Sequence, residues 1–461
     1  MRLLSALAAV ASIALLAPAG AHAQAAPVLN VAVVVRVDSP PLLTSNGQPA
    51  AGNEGLLASA ESALRDLAHI RVPFAVSASP VWVDEVLAAG STRVYAALLA
   101  LATRHPLLRV PYAHVLLPHE PDRTAIGREL RRGEDGLQRS LQTASQPILD
   151  PPGLAASNGV LAASRASGVR AMLAPAAIVG DEPVSDGGVT LVPAVDLPAG
   201  NPGTTLADRF GSRGHIALLA RPTSSLIPAL AADKRMRIVN ISDLIGRPIN
   251  ETVDFDPVAP PPESYRGALA HARSAVGGFM SYTLPGNQTS NLLSVLLARA
   301  ASTADWQRDW QRGTTRALAV AELADAEHAF VSASDGSVTL TSRSGAVPVT
   351  LENGAQYPVR VRVLVTSPKL AFPAGDSRLV TIAPHGMTIT FVAEARSTGS
   401  FPMDVALESP DGSVKFTGGH VVVRSTAANI LALLLTGSGL LFLIAWSSRD
   451  IIRRAIVRRS R

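Results

Sequence analysis

The stretch LNVAVVVRVDSP, residues 29–40, decides the fold. It is a β-rich apolar run that closes on Asp38 and Pro40, and it predicts a strand over Leu29 to Val37. Seven further runs of this kind follow: Val72 to Ser77, Leu107 to Val115, Pro147 to Leu149, Val169 to Leu173, Val189 to Val195, His215 to Leu219 and Arg237 to Ile241. Between them, Leu56 to Ala68, Thr92 to Thr103, Ala125 to Ala144, Gly159 to Ser167 and Ser224 to Ala231 carry apolar residues at helical spacing. Strands alternating with helices imply a parallel sheet with crossover helices. Seven or eight strands favour a closed or nearly closed α/β barrel over residues 24–248, with a doubly wound open sheet as the alternative.

The Pro-rich segment DFDPVAPPP, residues 254–262, opens a linker and helical connector over 249–329. Its expected helices are Tyr265 to Val276 and Leu292 to Glu327, the second placing Trp306 and Trp310 at i,i+4 on one apolar face. From 330 to 424 the pattern turns to alternation broken by turn residues: SVTLTSR, VPVTLENG, PVRVRVLVT, RLVTIAPHG, MTITFVAEA, MDVALESPDG and HVVVR. That predicts an antiparallel β-sandwich of about seven strands, immunoglobulin-like in class and without the Cys and Trp hallmarks.

Both ends carry membrane-directed patterns. Arg2, the apolar run from Leu3 and the Ala21-His22-Ala23 site read as a secretory signal peptide over 1–23. Residues 427–446 hold no charge and are long enough to cross a bilayer as one helix, with Trp446 at the interface. The tail 447–461 then carries Arg449, Arg453, Arg454, Arg458, Arg459 and Arg461, which orients it to the cytoplasm. These six arginines exceed the whole formal excess of +5, so the basic balance carries no nucleic-acid message. The expected placement is a single-pass membrane protein with its bulk outside the cell. The 461 residues suggest two or three domains, and 47% hydrophobic against 17% charged residues excludes a disordered chain. With no cysteine, disulfides and thiolate zinc sites are excluded. No phosphate loop, dinucleotide fingerprint or Gly-x-Ser-x-Gly elbow is present.

Candidate chemistry sits where strands end. Asp38, Asp150, Asp196 and Asp243 follow predicted strands, and Glu120 with Asp122 follows the third. Asp38 with Asp150 or Glu120 forms a candidate carboxylate pair for glycosidic cleavage. The commoner role of an aspartate at a strand-to-helix junction is an N-cap. His105, His114 and His119 could join Asp38 as nitrogen and oxygen ligands of zinc, with His105 and His119 as weak candidates because the spacing matches no standard ligand pair. Trp82 and Tyr112, with Tyr95, are candidate stacking platforms for sugar rings, core packing being the commoner fate of such residues. No cofactor is expected.

The order of these segments resembles the barrels of polysaccharide deacetylases and family-57 glycosidases. VAVVVRVDSP (31–40) looks like the strand that ends in catalytic and metal aspartates, and RVPFAVSASP (71–80) like the second strand. TRHPLLR (103–109) resembles the histidine motif for the metal. ILDPPGLAASNGVLAASRASGVRAMLAP (148–175) resembles the Arg-x-Pro-Pro-Gly-like loop and its helix, and GHIALLARP (214–222) the late strand that carries a catalytic histidine. The chain departs from that pattern in four places: one aspartate stands in the first strand, Leu101 lies four residues before His105, Asp150 replaces the arginine, and Ala220 replaces the histidine. The whole arrangement is also similar to an uncharacterised family of exported, single-pass membrane proteins of high-GC Gram-positive bacteria. The resemblance implies a cell-envelope protein whose eroded, deacetylase-like barrel binds cell-wall glycan or an envelope protein without metal catalysis. The alternative is an active glycoside hydrolase or atypical polysaccharide deacetylase.

Overall fold

The computed structural model describes residues 28–38, 40–197, 214–222, 226–246, 248–425 and 430–458. The chain divides into two units, Met1–Glu263 with Ala298–Gly313, and Ser264–Leu297 with Thr314–Arg461. Part of the expected helical connector therefore belongs with the barrel.

The first unit is built on seven parallel strands: β1 (Leu29–Val37), β2 (Ala75–Ala78), β3 (Leu108–Arg109), β4 (Gln146–Leu149), β5 (Ala171–Pro175), β6 (Val189–Asp196) and β7 (His215–Ala220). They pair in the order β2-β1-β7-β6-β5-β4-β3. A parallel bridge from Val76 to Leu107 and a hydrogen bond from Val76 N to Pro106 O at 2.9 Å nearly close the ring between β2 and β3. Short strands at Val184–Asp186 and Met236–Ile238 add to β6 and β1. The open-sheet alternative is set aside by this near closure.

Period-two alternation divides the barrel core in two. Val31, Val33 and Val35 of β1 pack with Leu64, Leu67, Leu98 and Leu101 from the covering helices. The alternate set, Ala32, Val34, Ala75, Leu108, Ile148, Ala171, Leu173, Val192, Ala194, Ala217 and Leu219, forms a second cluster that takes residues from every strand and fills the ring. Extending this inner phase by two residues reaches Arg36 on β1, Ser77 on β2, Asp150 after β4 and Asp196 on β6. The inside of the barrel thus changes from small apolar residues to polar ones at the strand C-termini, where barrel enzymes place their sites.

Two local expectations are corrected here. The run Leu107 to Val115 is a strand only at Leu108–Arg109, because Pro111 interrupts ladder pairing and the segment turns to loop. His114 is therefore on a loop. The helix Pro80–Ala88 was not expected from the pattern. Pro80 at its first turn starts it, and its apolar PVWV run lacks helical periodicity because it is buried on several sides. The expected helix from Leu292 to Glu327 is broken into Gln288–Ala300, Thr303–Trp306 and Trp310–Ala326, so Trp306 and Trp310 do not share one helix face.

In the second unit, nine strands between Val331 and Ser425 form a mixed sheet. All seven expected segments lie on strands, most with alternating burial, as in Ser344–Asn353 and Gly399–Glu408. The expectation of a purely antiparallel sandwich is corrected: Val331–Ala333 and Gly336–Leu340 run parallel to Lys415–Ser425. First and last strands lie side by side, with the rest of the unit serving as the crossover that parallel pairing requires. Beneath them Tyr282 packs edge-on against Phe416 and Phe279, with ring centroids at 5.0 and 5.3 Å.

The last helix is Ile430–Arg458, with side chains described from 434 to 448; Leu434, Leu441, Phe442 and Trp446 are each 64–68% exposed. Among the described residues no helix is long and apolar enough to cross a membrane, so the span expected at 427–446 finds no support there. The expected signal peptide, 1–23, lies outside the described residues.

Candidate functional site

Arg36 organises the cleft at the C-terminal end of the barrel. Its Nε donates to Asp150 Oδ2 at 2.9 Å and its Nη2 to Asp150 Oδ1 at 2.5 Å, while Nη1 donates to Asp196 Oδ1 at 3.2 Å. Ser77 Oγ also donates to Asp150 Oδ2, at 2.6 Å. Both carboxylate oxygens of Asp150 are engaged, and the residue is 3% exposed. Burial opposes the charge on Arg36, but Asp150, Asp196 and Asp38 outweigh it and hold the guanidinium pKa above its ordinary value.

A second chain of charges enters the same cleft from the loop after β3. His114 Nδ1 bonds Asp305 Oδ1 at 2.7 Å, and its Nε2 lies 3.9 Å from Asp38 Oδ2. Behind Asp305, Arg299 donates from Nη1 to Asp305 Oδ2 at 3.0 Å and from Nη2 to Glu85 Oε2 at 2.6 Å. Arg299 and Glu85 are almost wholly buried, at 1% and 0%. Burial pushes the Asp305 carboxyl upward, but the bonds from His114 and Arg299 win and hold it below the usual carboxylate range. The loop is clamped by the segment that carries Asp305: Ser302 Oγ accepts from His114 N at 3.1 Å, Thr303 Oγ1 accepts from Leu116 N at 2.8 Å, and Ala304 N donates to His114 O at 3.0 Å.

The cleft between the two arrays is lined by Arg36, Asp38, Ser79, His114, Asp150 and Pro152, among others. It is a small cleft, partly open to solvent, of about 20 Å³. Its chemistry is that of hydrogen-bond acceptors around one neutralised guanidinium.

The structure thus brings Asp38 and Asp150 to one cleft and adds His114. Glu120 follows the short helix Leu117–His119 and does not line that cleft. His105, ahead of β3, stacks on Phe74 at 3.7 Å, and His119 Nε2 bonds Ala259 O at 2.8 Å. Burial lowers the pKa of both. With His114 held by Asp305, the three histidines point to three different partners. Among the described residues no group of three or more His, Cys, Asp or Glu side chains is placed to hold a metal ion. Trp82 and Tyr112 are 1% and 4% exposed, so neither offers a ring face to a sugar. Tyr112 instead donates its hydroxyl to Asp84 Oδ2 at 2.5 Å and lies under the Arg132 guanidinium. Asp122 is an N-cap, accepting from Ala125 N at 2.8 Å, and Asp243 closes a capping box with Asn240.

Sequence reasoning missed Arg36, Ser77, Asp196 as a partner of Arg36, and the array Asp305, Arg299, Glu85. For Arg36 a signal was present: it is the one charge inside β1 and lies in phase with Asp38. For Asp305 there was none.

Residues 249–429 match the model of a family of unknown function (DUF6049). Comparison with curated proteins finds no match. Among solved structures, similarity extends to a protein from Mycobacterium smegmatis assigned as a polysaccharide deacetylase, at 16% identity and a TM-score of 0.39, covering 50% of this chain and 96% of that one. The α-amylase AmyC from Thermotoga maritima is similar at 8% identity and a TM-score of 0.47, covering 64% and 91%. A GH57 branching enzyme from Thermococcus kodakaraensis, in complex with glucose, is similar at 10% identity and a TM-score of 0.44, covering 65% and 88%.

Proposed function

We propose that this chain is an extracytoplasmic, membrane-anchored protein of the cell envelope whose barrel binds glycan without metal catalysis. The observation that carries the reading is the state of Asp150. A hydrolytic acid or base must exchange protons with substrate, and a deacetylase needs free carboxylate and imidazole ligands around a metal. Here both oxygens of Asp150 are held by Arg36 and Ser77, and His114 is held by Asp305. What remains open to a ligand is Asp38, Ser79 and the Nε2 edge of His114, a set suited to holding polar groups. The glycan class is supported by the segment order that resembles deacetylases and family-57 glycosidases. Anchoring is supported by the uncharged run 427–446 and the arginines that follow it.

The test is incubation of the full chain with cell-wall glycan, with and without zinc, followed by mass spectrometry and by a sedimentation binding assay. Retention of the protein on glycan with no change in glycan mass is expected. Cleaved or deacetylated products that disappear in Asp38→Asn would replace this reading with the enzymatic one. Anchoring predicts that the protein stays in the membrane pellet after alkaline carbonate washing; release into the supernatant would exclude it.

A further inference from the structure

Resting on the glycan-binding reading, we infer that the cleft selects a sugar bearing a free, protonated amino group, which would seat between Asp38, Ser79 and His114. The first ground is charge. Asp38 and Asp150 line the cleft, Asp196 lies on the other side of Arg36, and the single guanidinium is already matched by Asp150 and Asp196. Among the described residues, Asp38, its side chain 40% exposed, has no partner nearer than His114 Nε2 at 3.9 Å. The local balance is negative, and Asp38 is far more exposed than Asp150, at 40% against 3%.

The second ground is an orphan hydroxyl. Ser79 is 8% exposed and lines the cleft, and among the described residues its Oγ has no hydrogen-bond partner. It stands at the N-cap of Pro80–Ala88, where a serine ordinarily accepts from the helix, yet its side chain makes no cap bond. A buried hydroxyl left unmatched carries an uncompensated desolvation cost, which a ligand donor would recover.

The third ground is the orientation of His114. A carboxylate only accepts, so the bond to Asp305 places a proton on Nδ1 and leaves Nε2 as the edge nearest Asp38. Asp38 and Ser79 Oγ are thus two groups able to accept, lining one small cleft beside His114. An ammonium has three donors and a size close to that of a water. An acetamide brings one N–H donor and no charge to set against Asp38. A carboxylate or phosphate would meet Asp38 and be repelled.

The experiment compares binding of the full chain, purified in detergent, to a glucosamine tetramer and an N-acetylglucosamine tetramer by calorimetry, with the amine protonated. Wild type is expected to bind the free-amine oligomer about tenfold or more tightly than the acetylated one, the worth of a charge-assisted hydrogen bond. Asp38→Asn should abolish that preference. Ser79→Ala should narrow it several-fold, and circular dichroism of both variants checks the fold. Equal or reversed affinity in wild type overturns the ammonium site and leaves glycan binding standing. Failure of both oligomers to bind overturns both readings.

Discussion

Arg36 and Asp150, 114 residues apart, share two parallel hydrogen bonds at the polar end of the barrel, Nε to Oδ2 at 2.9 Å and Nη2 to Oδ1 at 2.5 Å. Together with Ser77 the pair engages both oxygens of a buried carboxylate. It also lets an otherwise apolar strand end in charge without leaving that charge unmatched.

Removing the guanidinium exposes the cost. Arg36→Met should destabilise the protein by about 3–5 kcal/mol, because Asp150 is left charged, buried and held only by Ser77. Adding Asp150→Leu should restore much of the loss, since an apolar pair of similar volume avoids the desolvation of both ions. Urea midpoints of wild type, single and double variants measure this. A single variant within about 0.5 kcal/mol of wild type would show that the pair contributes nothing.

Asp305 links stability to acid. Its folded pKa lies below the unfolded value of about 3.9, so the unfolded chain binds more protons through that window and stability falls as pH falls through it. The contribution is complete above that value. Asp305→Asn should lower stability near neutrality and flatten the decline in acid. Denaturation midpoints followed from pH 6 down to pH 3 test the slope, and an unchanged acid limb would contradict the assignment.

Gly133 reverses a general rule. It lies inside the helix Arg123–Leu141, where alanine ordinarily stabilises by about 1 kcal/mol. A Cβ at this position would stand 2.0 Å from Val110 O and 2.9 Å from Tyr112 N, backbone atoms of the loop that leads to His114. Gly133→Ala should therefore destabilise by about 1–3 kcal/mol. Thermal melting gives the sign, and a raised midpoint would mean that the loop yields freely.

Element identity was largely legible. The strand Leu29–Val37 matches its expectation to the residue, and four helices of the barrel unit fall within about three residues of theirs, because burial of one helical stripe leaves a periodic trace. The loop around His114 was not legible: apolar residues in LLRVPYAHV look like strand whether they pair in a ladder or pack from a loop. The same limit misplaced Trp82 and Tyr112, whose type signals burial and recognition equally.

The order of strands and helices, the phase that turns alternate residues into the barrel, and the placement of Asp38 and Asp150 at strand ends were determined by sequence alone, since local periodicity and turn chemistry act over a few residues. Which groups those aspartates meet was decided by tertiary structure. Arg36 reaches Asp150 across 114 residues and His114 reaches Asp305 across 191. Such pairings depend on strand order, register and the path of a returning segment, which bring together charges whose spacing along the chain holds no trace of the contact.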